Sequence, residues 1–270
     1  MLDSVVRLEP GRLFPSVAAE DWEGRDEHLA PDGRVELFLG GYVIGTGERR
    51  VLIDAGVGPD SFSAPSGATV PGGHLVDNLR VAGLHPEDFT DVVLTHLHPD
   101  HIGWTSRHGE ATFPNATYRC HADDWRWFVE QGEDDIPRQL LAPIATRFEW
   151  WDGATTLFPG IDVVPAPGHT PGSSIVVLSS DAGERAMLLG DVVHCPIELV
   201  DDEWSCIGDV DPQLARTTRD RLARELEGSD TLVGAAHFPE LRFGRLLLGA
   251  AGRRWTPVGS SGPDHLTGGR

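Results

Sequence analysis

Thr95-His96-Leu97-His98-Pro99-Asp100-His101 places four candidate metal ligands within six residues, directly after the apolar run Asp91-Val92-Val93-Leu94. That run is short and β-branched, which reads as a buried strand ending at the first histidine. Side chains alternate along an extended chain, so His96 and His98 point the same way, and the following turn can swing Asp100 and His101 towards a second point. One short loop can thus serve two metal ions. Imidazole and carboxylate without thiolate suit Zn²⁺ and also admit Mn²⁺, Fe or Co.

Further candidates stand in the same kind of place. His169 lies in Pro167-Gly168-His169-Thr170-Pro171-Gly172, Asp191 follows Leu188-Leu189-Gly190, and His237 follows Val233-Gly234-Ala235-Ala236. Each ends an apolar strand, where a rigid element can hold a ligand in place. A lone histidine near a strand end is ordinarily a hydrogen-bonded structural residue, but four potential ligands packed as HxHxDH are not explained that way. Seven ligands from four strand ends are therefore expected to converge on one edge of the molecule.

With these residues in view, the chain resembles the metallo-β-lactamase superfamily, in which an HxHxDH segment, a later His, a later Asp and a final His build a two-metal site. The resemblance spans roughly residues 35–245. It implies an α/β fold, a four-layer αββα sandwich. Carried onto this chain, it puts His96, His98 and His169 on one metal, Asp100, His101 and His237 on the other, and Asp191 between them. Asp54, in Ile53-Asp54-Ala55-Gly56, matches the superfamily's early aspartate, which orients a ligand histidine from behind. The implied cofactors are two divalent cations, Zn²⁺ preferred. A hydroxide shared by cations about 3.5–4 Å apart would be the nucleophile, with Asp100 helping to orient or shuttle the proton.

Within the superfamily, the best-known β-lactamases resemble this arrangement but carry Cys where this chain has Asp191, which points away from β-lactam substrates. Gly190-Asp191-Val192-Val193-His194, with Ala236-His237-Phe238-Pro239, resembles the branch of quorum-quenching lactonases and methyl-parathion-type hydrolases. His194 would then sit at the rim and protonate a leaving group. The favoured reading is a hydrolase of a neutral ester, a lactone before others. Three alternatives share the scaffold: a thioesterase of the glyoxalase II kind, a mononuclear iron sulfur dioxygenase, and a tailoring cyclase or lyase of secondary metabolism.

The rest of the chain is read around this core. Residues 1–33 carry no clear period and form an N-terminal extension to a domain spanning 1–255, with 256–270 a Gly-, Ser- and Pro-rich flexible tail. Residues 34–55 read as a hairpin turning through Gly45-Thr46-Gly47-Glu48. The Gly-, Pro- and Ser-rich stretch 57–73 is long for a connection and reads as a lid. Leu75, Leu79 and Ala82 keep helical spacing up to Gly83. The segments 122–131 and 135–147 read as helices, 111–120 as strand, and 156–178 as a second β-rich stretch broken by Pro165-Ala166-Pro167-Gly168. Asp211-Pro212 opens a strong helix over 211–227.

Trp104, Trp204, Phe62 and Phe14 are candidates for an apolar pocket wall. The Trp125-Trp127-Phe128 and Trp150-Trp151 clusters are assigned to helix packing or to a subunit interface, which makes a symmetric homodimer the expected assembly.

Composition narrows the partners. With 22 basic and 42 acidic residues the formal charge is −20, and nucleic-acid binding, which draws on clustered cations, is not expected. No apolar run reaches the ~18 residues of a membrane span, and the N-terminus lacks a basic segment followed by an apolar one. A cytoplasmic protein acting on a small molecule is expected. Cys120, Cys195 and Cys206 lack CxxC spacing and read as buried, reduced thiols; Cys195, beside His194, is taken as inert.

Overall fold

The computed structural model describes residues 1–64, 67–132, 135–201, 204–250 and 252–259. Two sheets face each other. In the first, the strands Asp91–Val93, Thr117–His121, Phe148–Trp151 and Arg49–Ile53 run parallel, and Tyr42–Thr46 closes one edge antiparallel to Arg49–Ile53. In the second, the order is Thr155–Phe158, Ile161–Pro165, Ser174–Ser179, Arg185–Leu188, Leu232–Gly234, Gly244–Gly249 and Gly252–Pro257. All of its pairings are antiparallel except that of Arg185–Leu188 with Leu232–Gly234.

Alternation sorts the strand residues into layers. Val51, Ile53 and Val93 pack between the sheets against Ile161, Val163, Val176 and Leu188. Leu52 and Val92 face outward, where Leu75 and Leu79 of the helix Leu75–Val81 cover them. On the far side, Val177, Met187 and Val233 are covered by Leu222 and Leu226 of the helix Pro212–Leu226. Sheets buried on both faces explain why these strands are apolar at consecutive positions. The result is the αββα sandwich expected from the resemblance.

Several local readings change. Val35–Gly40 pairs with Leu2–Leu8, so the N-terminal segment read as patternless supplies a strand; the hairpin is Tyr42–Thr46 with Arg49–Ile53, turning at Gly47-Glu48. Pro114 delays the strand read over 111–120 to Thr117. Residues 122–131 form one α turn followed by a π-helical stretch, Trp125–Glu130. The helix Asp135–Leu141 tightens into a 3₁₀ stretch at Ala142-Pro143, where proline removes a donor. The segment 57–73 contains a small hairpin of Phe62–Ser63 with Thr69–Val70. Thr256 and Pro257 belong to the last strand rather than to a tail; the rest of that segment, from residue 260, lies outside the described residues. Among the described residues no helix is long and apolar enough to cross a membrane.

Candidate metal centre

Strand direction collects the site. Arg49–Ile53 and Asp91–Val93 are parallel and end at Asp54 and at the 95–101 loop; Ile161–Pro165, Arg185–Leu188 and Leu232–Gly234 end at the same edge, leading to His169, Asp191 and His237. A backbone hydrogen bond from Ser174 N–H to Thr95 O, 2.9 Å, joins the two sheets there.

All seven candidate ligands meet. His96, His98, His169 and Asp191 offer ligand atoms that lie within 4.8 Å of one another, as do Asp100, His101 and His237. Nδ1 of His98 is 3.0 Å from Nε2 of His96 and 2.9 Å from Nε2 of His169. Asp191 sits between the groups: its Oδ2 is 3.7 Å from His96 Nε2, 3.5 Å from His169 Nε2 and 3.0 Å from His237 Nε2, and its Oδ1 is 3.1 Å from His101 Nε2. Asp100 Oδ2 approaches His237 Nε2 at 3.6 Å and His101 Nε2 at 3.9 Å.

The donor set fits cations on its own chemistry. Burial, reinforced by neighbouring imidazoles, lowers the pKa of His96 and His169 well below the usual value and that of His98 to about 3. Three neutral imidazoles therefore crowd nitrogens together with few protons to share between them, which is unfavourable unless a cation accepts their lone pairs. Burial also opposes charge on His101, but Asp191, Asp54 and Asp100 overcome it and raise that pKa. Asp191, likewise buried, is held well below the carboxylate range by His101, His237, His194 and His96. Although His101 Nε2 and Asp191 Oδ1 are close, both are buried without a hydrogen-bond partner. Such atoms need explaining, and a common metal position in front of them supplies the explanation.

Groups behind the ligands hold them. Asp54 has a left-handed backbone, φ +59°; its Oδ1 accepts from Thr95 N–H and its Oδ2 from Thr95 Oγ1–H, both at 2.8 Å, and Oδ2 lies 3.0 Å from His101 Nδ1. That is the placement expected of an aspartate orienting a ligand histidine. His169 Nδ1 is 3.2 Å from Asp209 Oδ1, a partner that sequence reasoning missed. Gly168, at φ +135°, lets the same loop pass so close to the helix Pro212–Leu226 that a Cβ there would lie 2.3 Å from Ala215 N. Also missed was Asp124, which accepts from Leu97 N–H, Gly172 N–H and Thr170 Oγ1–H and so ties the two histidine loops together. Its sequence signal is weak, because Asp123-Asp124 looks like an ordinary acidic helix start.

Five of the candidate ligands, His98, Asp100, His169, Asp191 and His237, line a cavity of about 480 Å³, with Val6, Leu8, Leu37, Leu39, Phe62 and Phe128 among its walls. Phe62 stands where the wall was expected. Trp104, Trp204 and Phe14 do not line it: Phe14 and Trp204 pack in the satellite core under the N-terminal strands, and Trp104 Nε1–H donates to buried Asp3. The π-helical stretch instead presents Phe128, 5.3 Å from the His98 ring, so Phe128 serves the cavity as well as helix packing. Trp127 and Trp150 are exposed. His194 also lines the cavity, with Nε2 3.3 Å from Asp191 Oδ2. Cys195 and Cys206 are buried, with thiol pKa values raised chiefly by that burial.

Residues 41–237 match the family model of the Metallo-beta-lactamase superfamily. The chain is similar to an N-acyl homoserine lactonase of Bacillus thuringiensis, 22% identical over 221 residues that cover 77% of this chain and 84% of that protein. Among solved structures it resembles AidC, a dizinc quorum-quenching lactonase in complex with a product, at TM-score 0.82 and 24% identity, covering 97% of this chain and 94% of the other. AbOPH, a hydrolase of the β-lactamase superfamily, gives TM-score 0.81 at 24% identity with the same coverage, 97% and 94%. The structural likeness is one of fold.

Proposed function

This chain belongs to the metallo-β-lactamase superfamily, and we propose that it is a dinuclear metal-dependent hydrolase of a neutral ester-type substrate, a lactone before others. The observation that carries the reading is seven convergent His and Asp ligands at the end of an apolar cavity whose described lining contains no Arg or Lys. Such a wall accepts an uncharged acyl or alkyl group and offers no cation to a phosphate or carboxylate handle, which disfavours thioesters of large anionic carriers. The Bacillus relative named for acyl homoserine lactones makes that lactone class the first probe.

In this reading His96, His98 and His169 hold one cation, Asp100, His101 and His237 the other, and Asp191 both. Cations held there would supply a water of lowered pKa and Lewis-acid polarisation of the substrate oxygen. The chain's own residues do the rest. Val6, Leu8, Leu37, Leu39 and Phe62 take the apolar part of the substrate and exclude water from the reacting carbonyl. Asp100, with its side chain 21% exposed, receives and passes on the proton released during attack. His194 Nε2, on the cavity wall beside Asp191, delivers a proton to the leaving oxygen.

Elemental analysis of protein purified without added metal, paired with hydrolysis of a lactone, a thioester and a phosphotriester, tests this. The expected outcome is two zinc-like ions per chain and lactone turnover that Asp191→Asn abolishes. One iron per chain with no hydrolysis would overturn it in favour of the sulfur dioxygenase alternative.

A further inference from the structure

Arg219, in the middle of the helix Pro212–Leu226, is 2% exposed, and none of the site chemistry above uses it. Its NH1 and NH2 both donate to Asp209 Oδ2 at 3.1 Å. NH1 also reaches Val192 O at 3.5 Å and lies 3.7 Å from Glu198 Oε1, while NH2 donates to Trp204 O at 3.4 Å. Each carboxylate so held has a second task. Asp209 Oδ1 is the group behind His169, 3.2 Å from Nδ1. Glu198 Oε2 accepts from the backbone N–H of His194 at 2.6 Å and of Cys195 at 3.0 Å.

One guanidinium therefore reaches four pieces of chain: the Val192 carbonyl next to Asp191, the Trp204 carbonyl, the carboxylate behind His169, and the carboxylate that fixes the backbone of His194. Burying a guanidinium with two carboxylates is a costly way to fill a core, and an apolar side chain of similar volume is often as stable. The planar fork of arginine, with donors fixed in direction, can serve Asp209 and the backbone carbonyls together, which a lysine ammonium cannot. Adjacent backbone bonds reinforce the placement: Val210 N–H donates to His169 O at 3.0 Å and Asp211 N–H to Gly168 O at 2.9 Å.

We propose that Arg219 is a positioning residue for the site, acting through Asp209 on His169, so that its loss selectively weakens binding of the cation held by His96, His98 and His169, and through Glu198 on the His194 backbone. The proposal rests on the ligand reading above. It is tested on chelator-stripped protein titrated with Zn²⁺ against a chromogenic competitor, with thermal unfolding of each variant alongside.

Arg219→Gln and Asp209→Ala are each expected to weaken one ion by about 10- to 100-fold while leaving the other near wild type. The double variant should be no worse than the weaker single, as for two residues on one path. Arg119→Gln is the control, since Arg119 pairs with Asp91 and Glu149 on the first sheet away from the ligands; it should lower the unfolding temperature and leave both affinities unchanged. If Arg219→Gln does not fold, Arg219→Lys and Asp209→Asn carry the comparison, with selective weakening expected in both. Wild-type affinity for both ions in the Arg219 and Asp209 variants, or equal weakening of both, overturns the proposal. Wild-type protein that binds no ion would instead sink the ligand reading itself.

Discussion

Asp124 is fully buried and accepts three hydrogen bonds, yet burial outweighs those donors and pushes its carboxyl up to about 7. In the unfolded chain the same group titrates near 4, so between roughly pH 4 and 7 the folded protein holds a proton that the unfolded chain does not. The stabilisation from this group is complete below the unfolded value and is lost as pH rises through the folded one. Urea unfolding of wild type and Asp124→Asn should therefore show wild type losing stability relative to the variant from about pH 5 to 7, by up to ~1.4 kcal/mol per pH unit. A difference that stays flat over that interval would mean the carboxyl is ionised throughout. Asp124 and Asp54 also mark what could be read at the level of single residues. Asp54 was legible because Asp-Ala-Gly follows a strand at a place the superfamily uses, whereas Asp124 has neighbours of its own kind and gains meaning only from two loops distant in sequence that donate to it.

The N-terminal strand Leu2–Leu8 is the element whose role most exceeds its sequence signal. It pairs with Val35–Gly40, sends Val6 and Leu8 to the cavity wall, and carries Asp3 into the interior. Asp3 accepts from Val57 N–H and Leu75 N–H, both at 2.6 Å, and from Trp104 Nε1–H at 3.0 Å. Both ends of the 57–73 segment, which brings Phe62 to the cavity, are thus pinned to the strand. Asp3→Ala leaves buried donors without partners, each costing about 1–3 kcal/mol. Urea denaturation should show a loss of about 3 kcal/mol or more, and steady-state kinetics a larger change in KM than in kcat, since the wall is disturbed and the ligands are not. The strand escaped sequence reading because Leu2-Asp3-Ser4-Val5-Val6-Arg7-Leu8 does not alternate cleanly; its inward aspartate breaks the pattern that an apolar residue would have kept.

Over the whole molecule, the site is a seam. The first sheet supplies the candidate ligands of the 95–101 loop and the second supplies His169, Asp191 and His237, so cations held as proposed would link the two halves of the sandwich at one edge. A ligand that binds only the folded state at a hundred times its dissociation constant adds about 2.7 kcal/mol. Chelation should accordingly lower the unfolding temperature by several degrees per ion in a domain of this size, and added Zn²⁺ should restore it; an unfolding temperature indifferent to chelator would contradict the two-ion reading.

HxHxDH, the apolar strands and the residues that end them are local patterns, and with the resemblance they carry they sufficed to expect the αββα sandwich and to pick out seven candidate ligands before anything was known of what packs against them. Long-range packing alone shows which aromatic residues reach the cavity, that Leu2–Leu8 is a strand, that Asp124 and Asp209 lie behind the loops of the candidate ligands, that Asp3 lies behind the cavity wall, and that Arg219 lies behind Asp209. A buried polar residue acquires its role from partners 10 to 101 positions away in the chain, and no periodicity or spacing records where those partners will be.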